Sequence, residues 1–244
     1  MDGIGREFMK ATNRPQLDQS DQSKGIPCPP FESNRKDVIS VISLPDPKDL
    51  TVRDIDLRYA IENRRSVRQY ANKPITLHEL SYLLWCTQGV RKVTQSATYR
   101  NVPSAGTRHA LETYLLINNV DGLKPGLYKY MALEHKLAEL PCDDGITQSI
   151  MAACLLGKFV ESSAVTFIWT TVFYRMGWRH GQRGYRYVHL DAGHVCQNLY
   201  LAVQGIDSGA CGISVFRDDE INSLLGVDGE EESVIYMAAV GKER

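Results

Sequence analysis

The chain has 244 residues, 43% of them apolar and 23% charged, with 28 Lys and Arg against 29 Asp and Glu. That is ample length to bury a core, and the composition excludes wholesale disorder. A formal net charge of -1 provides no global positive field, so neither nucleic acid nor a membrane surface is an expected partner.

Six of the ten prolines (Pro15, Pro27, Pro29, Pro30, Pro45, Pro47) fall in the first fifty residues. Residues 1–50 therefore read as an extended arm before a folded domain over 51–244, with Val38 to Leu44 as the arm's one strand. Thr51-x-x-Asp54 reads as a helix start, followed by Ile55, Leu57 and Ile61. Thr76-x-x-Glu79 is a capping box ahead of Leu77, Leu80, Leu83 and Leu84, with Gly89 as the stop. Thr113 to Ile117 reads as a buried strand, Asp121-Gly122 as a turn, and Leu127 to Met131 with Lys136 to Leu140 as a hairpin. A helix over Ile146 to Leu156 closed by Gly157 and a central strand over Ala164 to Val172 follow. Val188 to Gln204 is apolar on most faces and reads as a deeply buried helix, with His194 as a hydrogen-bonded core residue. A glycine-containing loop, a short helix over Asp218 to Leu225 and a strand over Val234 to Val240 complete an α+β pattern.

The longest uncharged apolar run, Ser162 to Tyr174, is too short to span a bilayer. The opening MDGIGREFMK lacks the apolar stretch of a signal peptide. None of the six cysteines forms C-x-x-C, and a cytoplasmic protein with reduced thiols is expected. Phosphate-loop, dinucleotide-fold, zincin and nucleophile-elbow motifs are all missing.

Three segments carry chemistry. Arg64, Arg65, Ser66 and Arg68 place three guanidinium groups and a hydroxyl just after a predicted helix, a donor set suited to phosphate. Taken alone, the run also fits a solvated helix end. Pro103, Ser104, Ala105 and Gly106 are small enough for close approach to a ligand, or simply form a turn. Gly205 to Gly212 brings three glycines behind a buried helix and reads as a loop. Cys211 within it has no base beside it in sequence and reads as a small buried residue.

Together and in this order, RRSVRQY (Arg64 to Tyr70), PSAG (Pro103 to Gly106), RGYRYVHLDAGHVCQNLYLAV (Arg183 to Val203) and GACG (Gly209 to Gly212) resemble the FMN-dependent nitroreductase family. The Y-R-Y to Q-N-L-Y-L-A stretch looks like its SagB-type branch, which includes azoline dehydrogenases of modified peptides. The resemblance implies a sandwich with a mainly antiparallel sheet flanked by helices, an intertwined homodimer, and FMN at the subunit interface. It implies that Arg64, Arg65, Ser66 and Arg68 hold the phosphate and ribityl end. Pro103 to Gly106 would contact the flavin from the other subunit, Ala210, Cys211 and Gly212 would face its N5 edge, and Gly241, Lys242 and Arg244 would add charge near the phosphate. NAD(P)H is the implied donor, with a small flat nitroaromatic or quinone-like acceptor. Two alternatives remain open: an azoline dehydrogenase, and an FMN-binding or storage protein with little turnover.

The chain departs from the pattern twice. Thr107 stands where nitroreductases often carry Asn. Arg179-His180 stand where azoline dehydrogenases carry a Lys-Tyr pair. Arg stays protonated and is a poor base, so His180 is the candidate catalytic group.

Overall fold

The computed structural model describes residues 3–13, 19–49, 51–155 and 157–244. Pro15, in the arm, and Leu156, the expected end of a helix, lie outside the described residues. The chain runs through α1 (Ile4–Ala11), β1 (Ser40–Ser43), α2 (Leu57–Asn63), α3 (Leu77–Gln88), β2 (Val90–Val93), β3 (Thr98–Arg100) and β4 (Leu111–Ile117). It continues through β5 (Gly126–Met131), β6 (Lys136–Leu140), α4 (Ile146–Ala153), α5 (Lys158–Ser162) and β7 (Val165–Val172). The last part is α6 (Phe173–His180), α7 (Gly184–Ala202), β8 (Ser208–Ile213), α8 (Asp218–Leu225) and β9 (Glu232–Lys242).

Seven strands form one sheet in the order β1-β6-β5-β4-β7-β9-β8, with every pair antiparallel. β4 is buried along its whole length, and alternate residues serve opposite faces. Leu115 packs with Phe167, Leu83 and Leu199 beneath α3 and α7, whereas Leu116 packs with Ile168, Ile150 and Ile221 beneath α4 and α8. The result is the α+β class that the pattern implied and the sandwich that the resemblance implied.

Local signals decided some boundaries. The Thr76 hydroxyl accepts the Glu79 N–H and the Glu79 carboxylate accepts the Thr76 N–H, so the expected capping box starts α3. α2 begins later than Thr51-x-x-Asp54 suggested, because Asp56 caps it by accepting the Tyr59 N–H at 2.8 Å. α4 stops at Ala153, and Gly157 opens α5 instead of closing α4. The arm is less plain than expected, since α1 forms at its start. The β2–β3 hairpin and α6 were not anticipated either.

Two corrections matter for function. The expected loop at Gly205 to Gly212 is a 3-10 turn running into strand β8, paired with β9 through Gly209–Gly241 and Gly212–Ala238. Its glycines permit close crossing: a Cβ at Gly209 would lie 2.5 Å from Val67, and one at Gly241 would lie 2.7 Å from Tyr70. α7 buries only one face. Val188, Val195 and Leu199 point into the core, but Leu190 is 60% exposed and His194 lies on the solvent side.

The arm and α6 are locked to the sheet by a buried ion group. The Glu112 carboxylate, on β4, pairs with Arg175 of α6 at 2.7 Å and Lys129 of β5 at 3.1 Å, and accepts the Ser33 N–H at 2.8 Å. Burial pushes Glu112 up, but Arg175 and Lys129 outweigh it and hold the carboxyl below its ordinary 4.5. Glu112→Gln should cost about 3–5 kcal/mol in urea unfolding at neutral pH, because two buried cations lose their counter-charge. A depressed carboxyl stabilises above its unfolded pKa, so the deficit against wild type should be full above pH 4.5 and shrink as pH falls through the lower folded value.

Candidate functional site

The predicted site residues separate into two groups that meet different stretches of α7, one around Asp191 near its middle and one at Tyr200 near its C-terminal end. The first lies where the segment after α2 runs beside β8. Ser66 pairs with Ala210 as an isolated parallel bridge, and the Val67 N–H donates to Ala210 O at 2.9 Å. The Tyr70 hydroxyl donates to both Val67 O (2.7 Å) and Ala239 O (3.0 Å). With Val67 seated over Gly209 and Tyr70 over Gly241, the RRSVRQY segment is stapled to the sheet.

Tyr200 of α7 organises this group. Its hydroxyl lies 3.0 Å from Ser66 Oγ and accepts the Gly212 N–H at 2.7 Å, and the Arg64 guanidinium sits 5.1 Å from its ring centroid. Sequence reasoning quoted Tyr200 in the Q-N-L-Y run but gave it no role. The charges are unequal. Arg65 is paired with Glu243 at 2.7 Å and Lys242 with Glu79 at 2.5 Å. Arg64, Arg68 and Arg244 have no carboxylate partner among the described residues; Arg244 donates to Tyr70 O and Arg68 reaches Ser66 O at 3.5 Å. Three guanidinium groups and the exposed Ser66 hydroxyl thus form a cationic, donor-rich surface at the sheet edge, of a chemistry suited to an anion. Cys211 is buried, and burial pushes its thiol up while Arg68 draws it partly back, so a thiolate nucleophile is disfavoured.

The second group surrounds Pro103 to Gly106. Asp191, 3% exposed on α7, accepts the Ala105 N–H at 3.2 Å, and Ser104 Oγ accepts the His109 N–H at 2.8 Å. Gly106, Thr107 and His109 all hold positive φ (59°, 56° and 44°), a tight path that these two bonds fix. His109 is kept neutral: burial, then the charges of Arg100, Arg108 and Arg175, push it down to about 3. His180, at the end of α6, lies against this loop; a Cβ on Gly106 would sit 2.7 Å from its Nε2. Burial, with Arg179 and Arg108, lowers the His180 pKa despite the opposing Ala105 backbone, leaving a neutral imidazole at pH 7.

Asp191 and Tyr200 are nine residues apart on α7, roughly 13 Å along its axis. One chain therefore does not bring Pro103 to Gly106 and His180 together with Arg64 to Arg68, Ala210 to Gly212 and Arg244. Among the described residues no helix is long and apolar enough to cross a membrane.

The family comparison agrees with this sandwich: the Nitroreductase family model matches residues 61–242. The chain belongs to the nitroreductase family of oxidoreductases. It is 32% identical over 202 residues to a protein of Methanocaldococcus jannaschii assigned as a nitroreductase, covering 83% of this chain and 96% of that one. It is 25% identical to the trifolitoxin-processing protein of Rhizobium leguminosarum bv. trifolii, covering 96% of this chain and 58% of that longer protein. The crystal structure of a protein from Anabaena variabilis assigned as a nitroreductase matches at TM-score 0.66 and 30% identity, over 78% of this chain and 38% of that one. Two further structures share the fold. One is the E. coli microcin synthetase complex with truncated pro-MccB17 bound (TM-score 0.61, 18% identity, 80% of this chain and 75% of that one). The other is an FMN complex of a protein from Desulfovibrio desulfuricans assigned as a nitroreductase (TM-score 0.55, 17% identity, 78% and 88%).

Asp191 anchors the loop, and its variants test that. Asp191→Ala should cost about 1–3 kcal/mol in denaturant unfolding, since a buried N–H loses its acceptor. Asp191→Asn, which keeps an acceptor oxygen and removes a buried charge, should recover most of that loss.

Proposed function

We propose that the chain is an FMN-dependent oxidoreductase that passes a hydride from NAD(P)H to a small flat acceptor, nitroaromatic or quinone-like. The carrying observation is the carboxylate-free set of Arg64, Arg68 and Arg244 beside Ser66 at the edge of β8. That donor set fits a phosphate-bearing cofactor, and the FMN complex of the Desulfovibrio desulfuricans relative supports FMN. Arg64, Arg65, Ser66 and Arg68 would hold the phosphate and ribityl end, helped by Lys242 and Arg244 around Gly241. Ala210, Cys211 and Gly212 would border the ring with main-chain groups. When bound, FMN accepts a hydride and passes it on, while the protein binds and orients the reactants. Tyr200 holds Ser66 in place and takes up the Gly212 N–H, so Gly212 would border the ring by close approach and not as a hydrogen-bond donor.

In this reading the working unit is a homodimer, with Pro103 to Gly106 serving the other subunit's cofactor. The separation of the two groups along α7 supports it. So do exposed Leu57, Ile61 and Leu190, and a cleft of about 610 Å³ that Leu57 and Tyr82 share with Asn198 and Leu201 of α7. Residues 1–50 form an arm of the 51–244 domain, and its described part packs on α6 through bonds such as Trp178 Nε1 to Ile26 O at 2.8 Å.

A second reading, an azoline dehydrogenase of the SagB-type branch, is favoured by the likeness to the trifolitoxin-processing and microcin synthetase proteins and by the neutral His180 beside the loop. It predicts oxidation of a heterocyclised peptide with oxygen as acceptor, lost in His180→Ala.

Purified protein should show visible flavin bands that bleach anaerobically on adding NADH or NADPH. Arg64→Ala and Arg68→Ala should each weaken FMN binding about tenfold or more, about 1.4 kcal/mol, with little change in melting temperature. Bands that persist under both nucleotides would move weight to azoline oxidation or FMN storage. No bands after soaking in FMN would remove the flavin reading.

A further inference from the structure

His180 does not stand alone at the loop. Tyr187, in the first turns of α7, meets it edge to face, with ring centroids 4.9 Å apart and planes at 84°. Arg183, one turn earlier, donates Nε–H to Tyr187 Oη at 2.8 Å and lies 5.6 Å from the ring centroid. A guanidinium has only donors, so the phenol oxygen accepts there and its own proton stays free for another acceptor. Tyr187 also packs, with Ala105, against the small cluster of Ala110, Met176 and Val188. Phenol, imidazole and the Pro103–Gly106 loop therefore border one another. His180 Nε2 is buried and makes no hydrogen bond, although native structures satisfy nearly all such atoms. The charged groups around the pair are Arg183 on the phenol side and Arg179 and Arg108 on the imidazole side.

We propose that Tyr187 is the proton donor to the acceptor, held in place by Arg183 and reprotonated from solvent. The proposal rests on the reading that the Pro103–Gly106 loop faces bound FMN, and it adds the acid that this chemistry lacks. Reduction of a quinone-like acceptor to a hydroquinone takes up one hydride and one proton. The hydride, from NAD(P)H by way of FMN, supplies both electrons. The acceptor's oxygen takes the Tyr187 O–H proton, and the electron pair of that bond stays on the phenol oxygen. Arg183 Nε–H stabilises the resulting negative charge. A solvent proton restores the phenol. Arg183 is a positioning residue: its Nη1 is committed to Thr12 O at 2.9 Å, which leaves Nε aimed at Tyr187.

The test uses full-length Tyr187→Phe, Arg183→Met and Arg183→Lys. The positioning arm needs no cofactor. In the protein without flavin, the His180 ring-proton NMR signals should carry a ring-current shift from Tyr187, reduced in Tyr187→Phe, which keeps the ring under Arg183 without the bond, lost in Arg183→Met and partly restored in Arg183→Lys. The catalytic arm uses flavin-loaded protein reduced with NADH and mixed with 1,4-benzoquinone. Tyr187→Phe should slow reoxidation tenfold or more at unchanged FMN affinity, and Arg183→Met should follow it within about threefold. Reoxidation by Tyr187→Phe at the wild-type rate would overturn the donor assignment. An unmoved His180 signal in Arg183→Met would overturn the positioning role. Failure to bind FMN, or to bleach with NADH, would instead sink the functional reading on which the proposal rests.

Discussion

The buried carboxylate of Glu112 is the point through which the rest of the molecule is held. It sits on the fully buried strand β4 and joins three parts of the chain that no local rule connects: the arm at Ser33, β5 at Lys129 and α6 at Arg175. Arg175 then spends its other donors on Pro30 O and His109 O. One carboxylate thereby fixes the register of α6 against both the arm and the end of the loop. The placement of His180 at the far end of α6 follows from it. Such a group is costly to bury and gives strength only when complete, so its value lies in specifying a single arrangement.

Charge is distributed with the same economy at the sheet edge. The segment from Arg64 to Arg68 and the residues after β9 carry an excess of cations, yet Glu243 and Glu79 remove Arg65 and Lys242 from it. What remains is concentrated on Arg64, Arg68 and Arg244, beside a hydroxyl and strand main chain. Glycine acts here through the neighbours it admits. The missing side chains at Gly209 and Gly241 let Val67 and Tyr70 press onto the sheet, which brings the guanidinium-bearing segment within reach of β8.

This explains which parts of the structure were legible in the sequence. The Thr76 capping box, the hairpin from Leu127 to Leu140 and the strand around Ile168 announce themselves because their determinants lie within a few residues. The stretch from Gly205 to Gly212 misleads because glycines are read locally as loop formers, while its fate is set by pairing with β9. His194 misleads because α7 has apolar residues on most sides, and only the tertiary arrangement shows which face meets α3 and the sheet. The family motifs pointed to the guanidinium segment and the small-residue loop. They did not reveal that Tyr200 ties Ser66 to Gly212, or that Tyr187 meets His180, because each contact joins residues from different elements.

α7 also acts as a ruler. Asp191 grips the loop and Tyr200 grips the strand edge from the same unbroken helix, so their separation and relative bearing are set by residue count alone. One inserted residue between them would turn one end about 100° against the other, and an insertion of four would still leave an offset of about 6 Å. Side chains along this span can drift as long as their character is kept, but its length cannot. Among descendants of this chain, the interval between these two positions should accept replacements that keep side-chain character, and insertion or deletion almost never.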